Sequence, residues 1–370
     1  MATQARTRTA PAPKTRTDAL VRDLSTSPAP SGQPQIVFDT RPAYDFLVSL
    51  MVDFMPEVLP EDVAWFDASR ASLSDGLKRD LRRTFGHEEE RIATGTALVP
   101  LVVADDRVRT AADVVALAGR TTVPLLIALT CEMEHMPAAA ALVERALTGD
   151  DGARTDLVAL FPEATRPGLE RLLGDPDGEL RALRRVLRAW LERFEAVEAR
   201  VSKMAERDAA ARRTELAGMN VSEAVERVTG GVRFTADPAL RQVILAPAYF
   251  GRPYNFLFGA QDWRMFAYPI DDASLDGDPD AVPSATVRLF KALGDDSRLR
   301  ILRLLAAGDL YLTEIADRMG LSKPTVSHHM IALRAAGLVT VTDTGGLTYY
   351  TLRRERLADA TPDLQRLIGA

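Results

Sequence analysis

Gly320-Leu321-Ser322-Lys323-Pro324-Thr325-Val326-Ser327-His328-His329-Met330 lies between two amphipathic segments. Upstream, Thr313 to Met319 reads as a short helix, with Leu312, Ile315, Ala316 and Met319 spaced to face a core. Gly320 supplies the positive φ that ends it. Ser322 is a natural N-cap for the next helix, because its hydroxyl can accept from a free N–H of the first turn. Pro324 sits in that turn, where it forfeits no helical hydrogen bond. The second helix is expected from Lys323 to Ala336, with Gly337 as its stop. Then comes Leu338-Val339-Thr340-Val341-Thr342-Asp343-Thr344-Gly345-Gly346-Leu347-Thr348-Tyr349-Tyr350-Thr351-Leu352, which reads as strand, Gly-Gly turn, strand. Helix, three-residue turn, helix and hairpin together describe a winged helix-turn-helix, which places one helix in the DNA major groove.

Successive residues of that second helix are about 100° apart. Val326, His329, Met330 and Leu333 therefore share the inward face. Pro324, His328, Ile331 and Ala335 centre on the outer face, flanked by Thr325 and Ala332 on one side and Ser327 on the other. Thr325, Ser327 and His328 offer hydrogen bonds to base edges or phosphates. Ser322, Lys323 and Pro324 bring the helix N-terminus and a positive charge to a phosphate. Ile331 would touch a thymine methyl or cover the wing. His329 is expected packed and His328 exposed; neighbouring side chains diverge too far to chelate one metal together. Ser284–Leu293 and Ser297–Ala306 read as two further helices, the second capped by Asp295 or Asp296. Their expected core is Phe290, Leu293, Leu299, Ile301, Leu302, Leu304 and Leu305. Val339 and Val341 alternate with Thr340 and Thr342, the pattern of a half-buried hairpin strand.

The stretch from about Pro283 to Arg356 resembles the ArsR/SmtB-like family of winged-helix regulators. The carrying residues are Phe290-Lys291-Ala292-Leu293-Gly294-Asp295 with Arg298-Leu299-Arg300-Ile301-Leu302, then Ser322 to Met330. Leu333-Arg334-Ala335-Ala336-Gly337-Leu338-Val339 and Tyr349-Tyr350-Thr351-Leu352 complete the match. The resemblance implies a homodimer on an imperfect inverted repeat, usually a repressor released by a signal. Metal-sensing members often carry a cysteine pair where this chain reads Asp309-Leu310-Tyr311-Leu312-Thr313. Others use histidines on the last helix, and Arg356 to Ala370 has none. Neither familiar metal site is present. The wing tip, Asp343-Thr344-Gly345-Gly346, also lacks the basic residue common there; Gly345 is the expected tip contact, with Arg298 and Arg353 as phosphate contacts.

The chain of 370 residues is too long for one winged helix. Its net charge of −6 conceals an asymmetry: residues 1–32 and 281–370 are each net +3, while 33–280 are net −12. A basic end on an acidic body fits DNA contact restricted to that end, and excludes a uniformly basic nucleic-acid coat. With Cys131 as the one cysteine, no internal disulfide can form, which points to a reducing cytoplasm. No apolar run reaches about 18 residues, so no membrane partner is expected. Residues 1–32, rich in Ala, Thr, Pro and Arg, read as a disordered tail.

Residues 33–270 read as an α-rich sensing or dimerisation domain with a small antiparallel sheet, joined to the winged helix (284–370) by a linker at 271–283. A first strand is expected at Gln35–Phe38 and helices at 43–55, 61–68, 73–84, 111–118 and 123–135. Leu180, Leu183, Leu187, Trp190, Phe194, Val197, Val201 and Met204 recur at alternating spacings of three and four within a long helix, 179–214. This seam fits a dimeric coiled coil or a helix laid on its own domain; Val186 and Leu191 widen it toward the second. Three strands are expected at 232–235, 242–246 and 262–268. The aromatics Tyr249, Phe250, Tyr254, Phe256, Phe258, Trp263 and Phe266 fit either an effector pocket or the core of that sheet.

Cys131, Glu134 and His135 share a helix face and form a metal candidate, with His87 and Glu88 to Glu90 as further donors; a buried cysteine near a helix end is the alternative. The chain carries no nucleophile-elbow, zincin, P-loop or dinucleotide-binding pattern. The expectation is a mostly α (α+β), cytoplasmic, homodimeric DNA-binding repressor without a cofactor, released by a small-molecule effector. The alternatives are an enzyme or a protein-interaction domain with an appended winged helix.

Overall fold

The computed structural model describes residues 34–51, 60–86, 94–133, 137–161, 163, 166–235, 239–260, 262–276, 283–344 and 347–368. The expected N-terminal tail, Glu134, His135, His87 to Glu90 and Gly345 lie outside them. The body begins with β1 (Gln35–Phe38) and continues through α1 (Pro42–Ser49), α2 (Pro60–Ala71), α3 (Asp75–Phe85), a 3-10 turn (Thr94–Ala97) and α4 (Leu98–Ala104). Next are α5 (Ala111–Arg120), α6 (Val123–Met133), α7 (Pro137–Leu147), α8 (Asp151–Leu160) and α9 (Arg166–Gly174). The 40-residue α10 (Pro176–Glu215), α11 (Val221–Val228), β2 (Gln242–Ala248), β3 (Phe256–Gly259) and β4 (Trp263–Pro269) complete it.

Side chains set the helix starts. The Ser74, Asp150 and Asp175 side chains each accept a first-turn N–H, and Thr110 with Asp113 forms a reciprocal capping box. Prolines open helices here: Pro42, Pro60, Pro137 and Pro176 each occupy a first position.

The seam of α10 is internal to the protomer. Leu183, Leu187, Trp190, Phe194 and Met204 are fully buried and belong to one cluster with α1, α3, α4 and α5 residues. Trp190 Nε1 donates to Ser49 Oγ at 2.9 Å, and the Phe194 ring meets Phe46 edge-on at 5.3 Å. Buried Val186 and half-buried Leu191 broaden the apolar stripe past what a two-helix seam uses, so the helix lies on its own domain.

The body sheet has the order β1-β2-β4-β3 and is mixed, not antiparallel as expected. β1 pairs with β2, and β2 with β4, in parallel; only β3 runs antiparallel to β4. The parallel β1–β2 pair is possible because the helices between them serve as one long crossover. The stretch 232–235 is not a strand of this sheet: Val232 makes a single bridge, and its partner is Val341. The seven aromatics are all buried, which makes them core. Asp45 anchors their loop by accepting from Tyr249 N and Phe250 N at 2.8 and 3.0 Å; burial pushes its carboxyl up to about 7 against the pull of those two donors.

The linker is fastened where it is described. Asp208 of α10 accepts from Tyr268 Oη at 2.7 Å and Asp271 N at 2.8 Å, and Asp272 accepts from Ala285 N. Beyond it lie α12 (Ser284–Leu293), α13 (Asp296–Leu305), β5 (Leu310–Tyr311), α14 (Leu312–Met319) and α15 (Lys323–Ala335). They are followed by β6 (Val339–Thr344), β7 (Leu347–Leu352), α16 (Arg354–Ala358) and α17 (Ala360–Ile368), with sheet order β5-β7-β6. Ile301, Leu302, Ile315, Val326, Met330, Leu333 and Leu338 form the core. Phe290 and Leu299, expected in it, are 37% and 47% exposed: each stands on a rim of its helix that no described element covers.

Candidate DNA-binding interface

The turn between α14 and α15 is built as its residues dictate. Gly320 adopts φ +67°, ψ +32°, a left-handed position that a Cβ would strain. Ser322 is extended and its Oγ accepts from Thr325 N at 3.3 Å; it also lies 2.7 Å from Thr325 Oγ1, so the two hydroxyls share a hydrogen bond. Pro324 occupies the first turn, and Gly337, at φ +69°, turns the chain toward β6.

This geometry sorts the side chains of α15. Val326, Met330 and Leu333 are buried in the winged-helix core. Ser322, Lys323, Pro324, Thr325 and His328 are exposed and Ser327 is half-buried, so the candidate set stands along one end of the helix. Its open N-terminus adds partial positive charge beside the Lys323 ammonium, an arrangement suited to a phosphate. His329 is half-buried, with Nδ1 3.8 Å from Asp295 Oδ1. Asp295 also caps α13 by accepting from Arg298 N at 2.8 Å; that bond foremost, with the nearby guanidinium, holds its carboxyl below the usual range.

The two arginines named for phosphate contact are engaged elsewhere. Arg298 Nη2 donates to Lys291 O at 3.0 Å, at the C-terminal end of α12. Arg353 Nη1 donates to Gly230 O in the body at 2.7 Å. Helix C-termini and turns leave carbonyls without partners, and a guanidinium satisfies them well. Cys131 is fully buried in an apolar cluster with Ile127, Val143, Leu157 and Phe161.

Sequence reasoning missed that the body touches this end of the chain. Ile331 packs against the body's core cluster. Burial lowers the pKa of Arg334, a turn further on, against the opposing fields of Tyr350 of β7 and Tyr254 of the body. Thr340, assigned to the water side of β6, is 2% exposed. No local pattern marks Thr340, since its cover comes from about 110 residues earlier.

Fold and site define a winged helix-turn-helix protein whose helix α15 is exposed at its N-terminal end. The model of the bacterial regulatory protein arsR family matches residues 295–341. The transcriptional repressor SdpR of Bacillus subtilis is 38% identical over 72 residues, 20% of this chain and 80% of that protein. The HTH-type transcriptional regulator CmtR of Mycobacterium bovis is 39% identical over 87 residues, 24% of this chain and 74% of that protein. An arsenical resistance operon repressor of Staphylococcus aureus is 38% identical over 76 residues, 20% and 73% of the respective chains. A solved structure of HlyU from Vibrio cholerae aligns with 33% identity over 24% of this chain and 95% of its own, with a TM-score of 0.20. The chain belongs to the ArsR family. These likenesses leave the long N-terminal body uncovered.

Proposed function

We propose that this DNA-binding transcriptional regulator acts as a homodimeric repressor, reads an inverted repeat through the first turns of α15, and is released by an effector sensed in the body. The observation that carries the reading is the exposed set Ser322, Lys323, Pro324, Thr325, Ser327 and His328, held by a capped helix start on a packed scaffold. Base-edge contacts fall to Thr325, Ser327 and His328, and phosphate contacts to Lys323 and the helix N-terminus.

Dimerisation has its own support. Val287 and Phe290 of α12 and Leu364, Leu367 and Ile368 of α17 are 37–66% exposed, and the two helices touch. Apolar side chains gathered on adjacent helices fit a self-complementary interface, which would set two reading helices about one DNA turn apart. The body serves as sensor, not as catalyst. The protein works in the cytoplasm; among the described residues no single helix is long and apolar enough to cross a membrane. Selection of DNA by the purified chain tests this reading: an enriched inverted repeat supports it, and a folded dimer that enriches nothing, alone or in cell extract, refutes it.

A further inference from the structure

The body grips the reading head at two places. Residues Gly230 to Arg233 run along β6, the outer strand of the wing sheet. Val232 bridges Val341 in parallel, Arg233 N donates to Val341 O at 3.3 Å, and Arg353 Nη1 donates to Gly230 O at 2.7 Å. The approach is close enough to need glycine: a Cβ on Gly231, at φ +119°, would stand 2.8 Å from Thr340 Cγ2 and 3.0 Å from Arg353 Cδ. The second grip is on α15 itself, where Ile331 packs on the body core.

Ile331 is on the same face as His328. Three residues on, it lies about 4.5 Å further along the helix axis and about 60° round from it. A helix with its side chains is about 10–12 Å across and the major groove about 12 Å wide, so the groove has no room for a second protein layer on the inserted face. That layer belongs to a segment, 33–280, of net charge −12, which repels phosphates.

We propose that the body clamps the reading head: docked on β6 and on Ile331 of α15, it leaves only the first turns of the helix available, and full entry into the groove requires the clamp to open. This rests on the reading of α15 as the DNA-contacting helix. A ligand that binds the body better in one of the two states then sets DNA affinity, without touching the winged helix.

A reversible cross-link tests it in the full chain. Cysteines replacing Val232 and Val341 would face each other across the parallel bridge, about 4.8 Å apart and within disulfide reach; the native Cys131 is buried in a separate cluster. Affinity for a DNA duplex is measured for this variant oxidised and reduced, and for Gly231→Val, whose side chain has no room in the docked state. The expected result is weaker binding on oxidation, by about 5–150-fold, the usual range of coupling between sites, restored by reductant. Gly231→Val should bind more tightly than the wild type. Equal affinity in the two redox states overturns the clamp, as does failure of the disulfide to form under mild oxidation. If neither redox state nor Gly231→Val holds any DNA, the DNA-contacting role of α15 fails, and the clamp with it.

Discussion

His328 and His329 are neighbours with opposite assignments, and replacing each by alanine separates them. His328 is exposed on the first turns of α15, so His328→Ala should change folding stability by less than about 0.5 kcal/mol, the range of surface substitutions. If the imidazole reads a base edge, its loss costs about 1–3 kcal/mol of binding. That is about 5- to 150-fold in affinity for the selected duplex, with a much smaller effect on a scrambled one. His329 is half-buried, its Nδ1 3.8 Å from Asp295 Oδ1 beside the α13 cap. His329→Ala should lose about 1 kcal/mol of stability, the central value for point substitutions, and leave the preference for the selected duplex intact. Fluorescence anisotropy on both duplexes and urea unfolding give the three numbers needed for each variant. Equal loss on both duplexes for His328→Ala would make it a phosphate contact. No loss at all, or loss of preference in His329→Ala instead, would refute the facing assigned to α15.

Lys323→Ala should weaken binding to all sequences alike and reduce the slope of log affinity against log salt by about 0.9, checked by titration at several ionic strengths. Trp190→Ala should cost about 3–5 kcal/mol in urea unfolding, because the indole is fully buried on α10 and its N–H serves Ser49. The raised carboxyl of Asp45, about 7 against an ordinary 3.8, has a definite sign. Between those pH values the unfolded chain has released the proton that the folded chain retains, so stability falls as pH rises through the window and levels off above about 7. Relative to Asp45→Asn, the wild type should lose about 1.4 kcal/mol per pH unit there in denaturant melts. Phe290→Glu with Leu364→Glu should convert a dimer to monomer in sedimentation and lower affinity for an inverted repeat more than for a half-site.

The winged helix was legible because its signals are local. Gly320, Ser322, Pro324 and Gly337 each fix one backbone position, and the inward set Val326, Met330 and Leu333 follows from helical spacing. The body's sheet was legible only in part. Gln35–Phe38 reads as a strand, but its parallel partner lies about 200 residues away, a pairing that no turn residue announces. α7, in an alanine-rich stretch, offers little contrast between faces, and Phe256–Gly259 is hidden in an aromatic run. At the interface, strand alternation placed Thr340 in water, and helical spacing placed Ile331 against a thymine methyl or over the wing. The body covers both, a long-range contact that periodicity does not encode.

The most direct test of the central claim is selection from a random duplex pool by the purified full chain at physiological salt. The account predicts an enriched imperfect inverted repeat with half-sites about one helical turn apart. A folded chain that enriches no sequence, with its clamp intact or loosened by Gly231→Val, would contradict it.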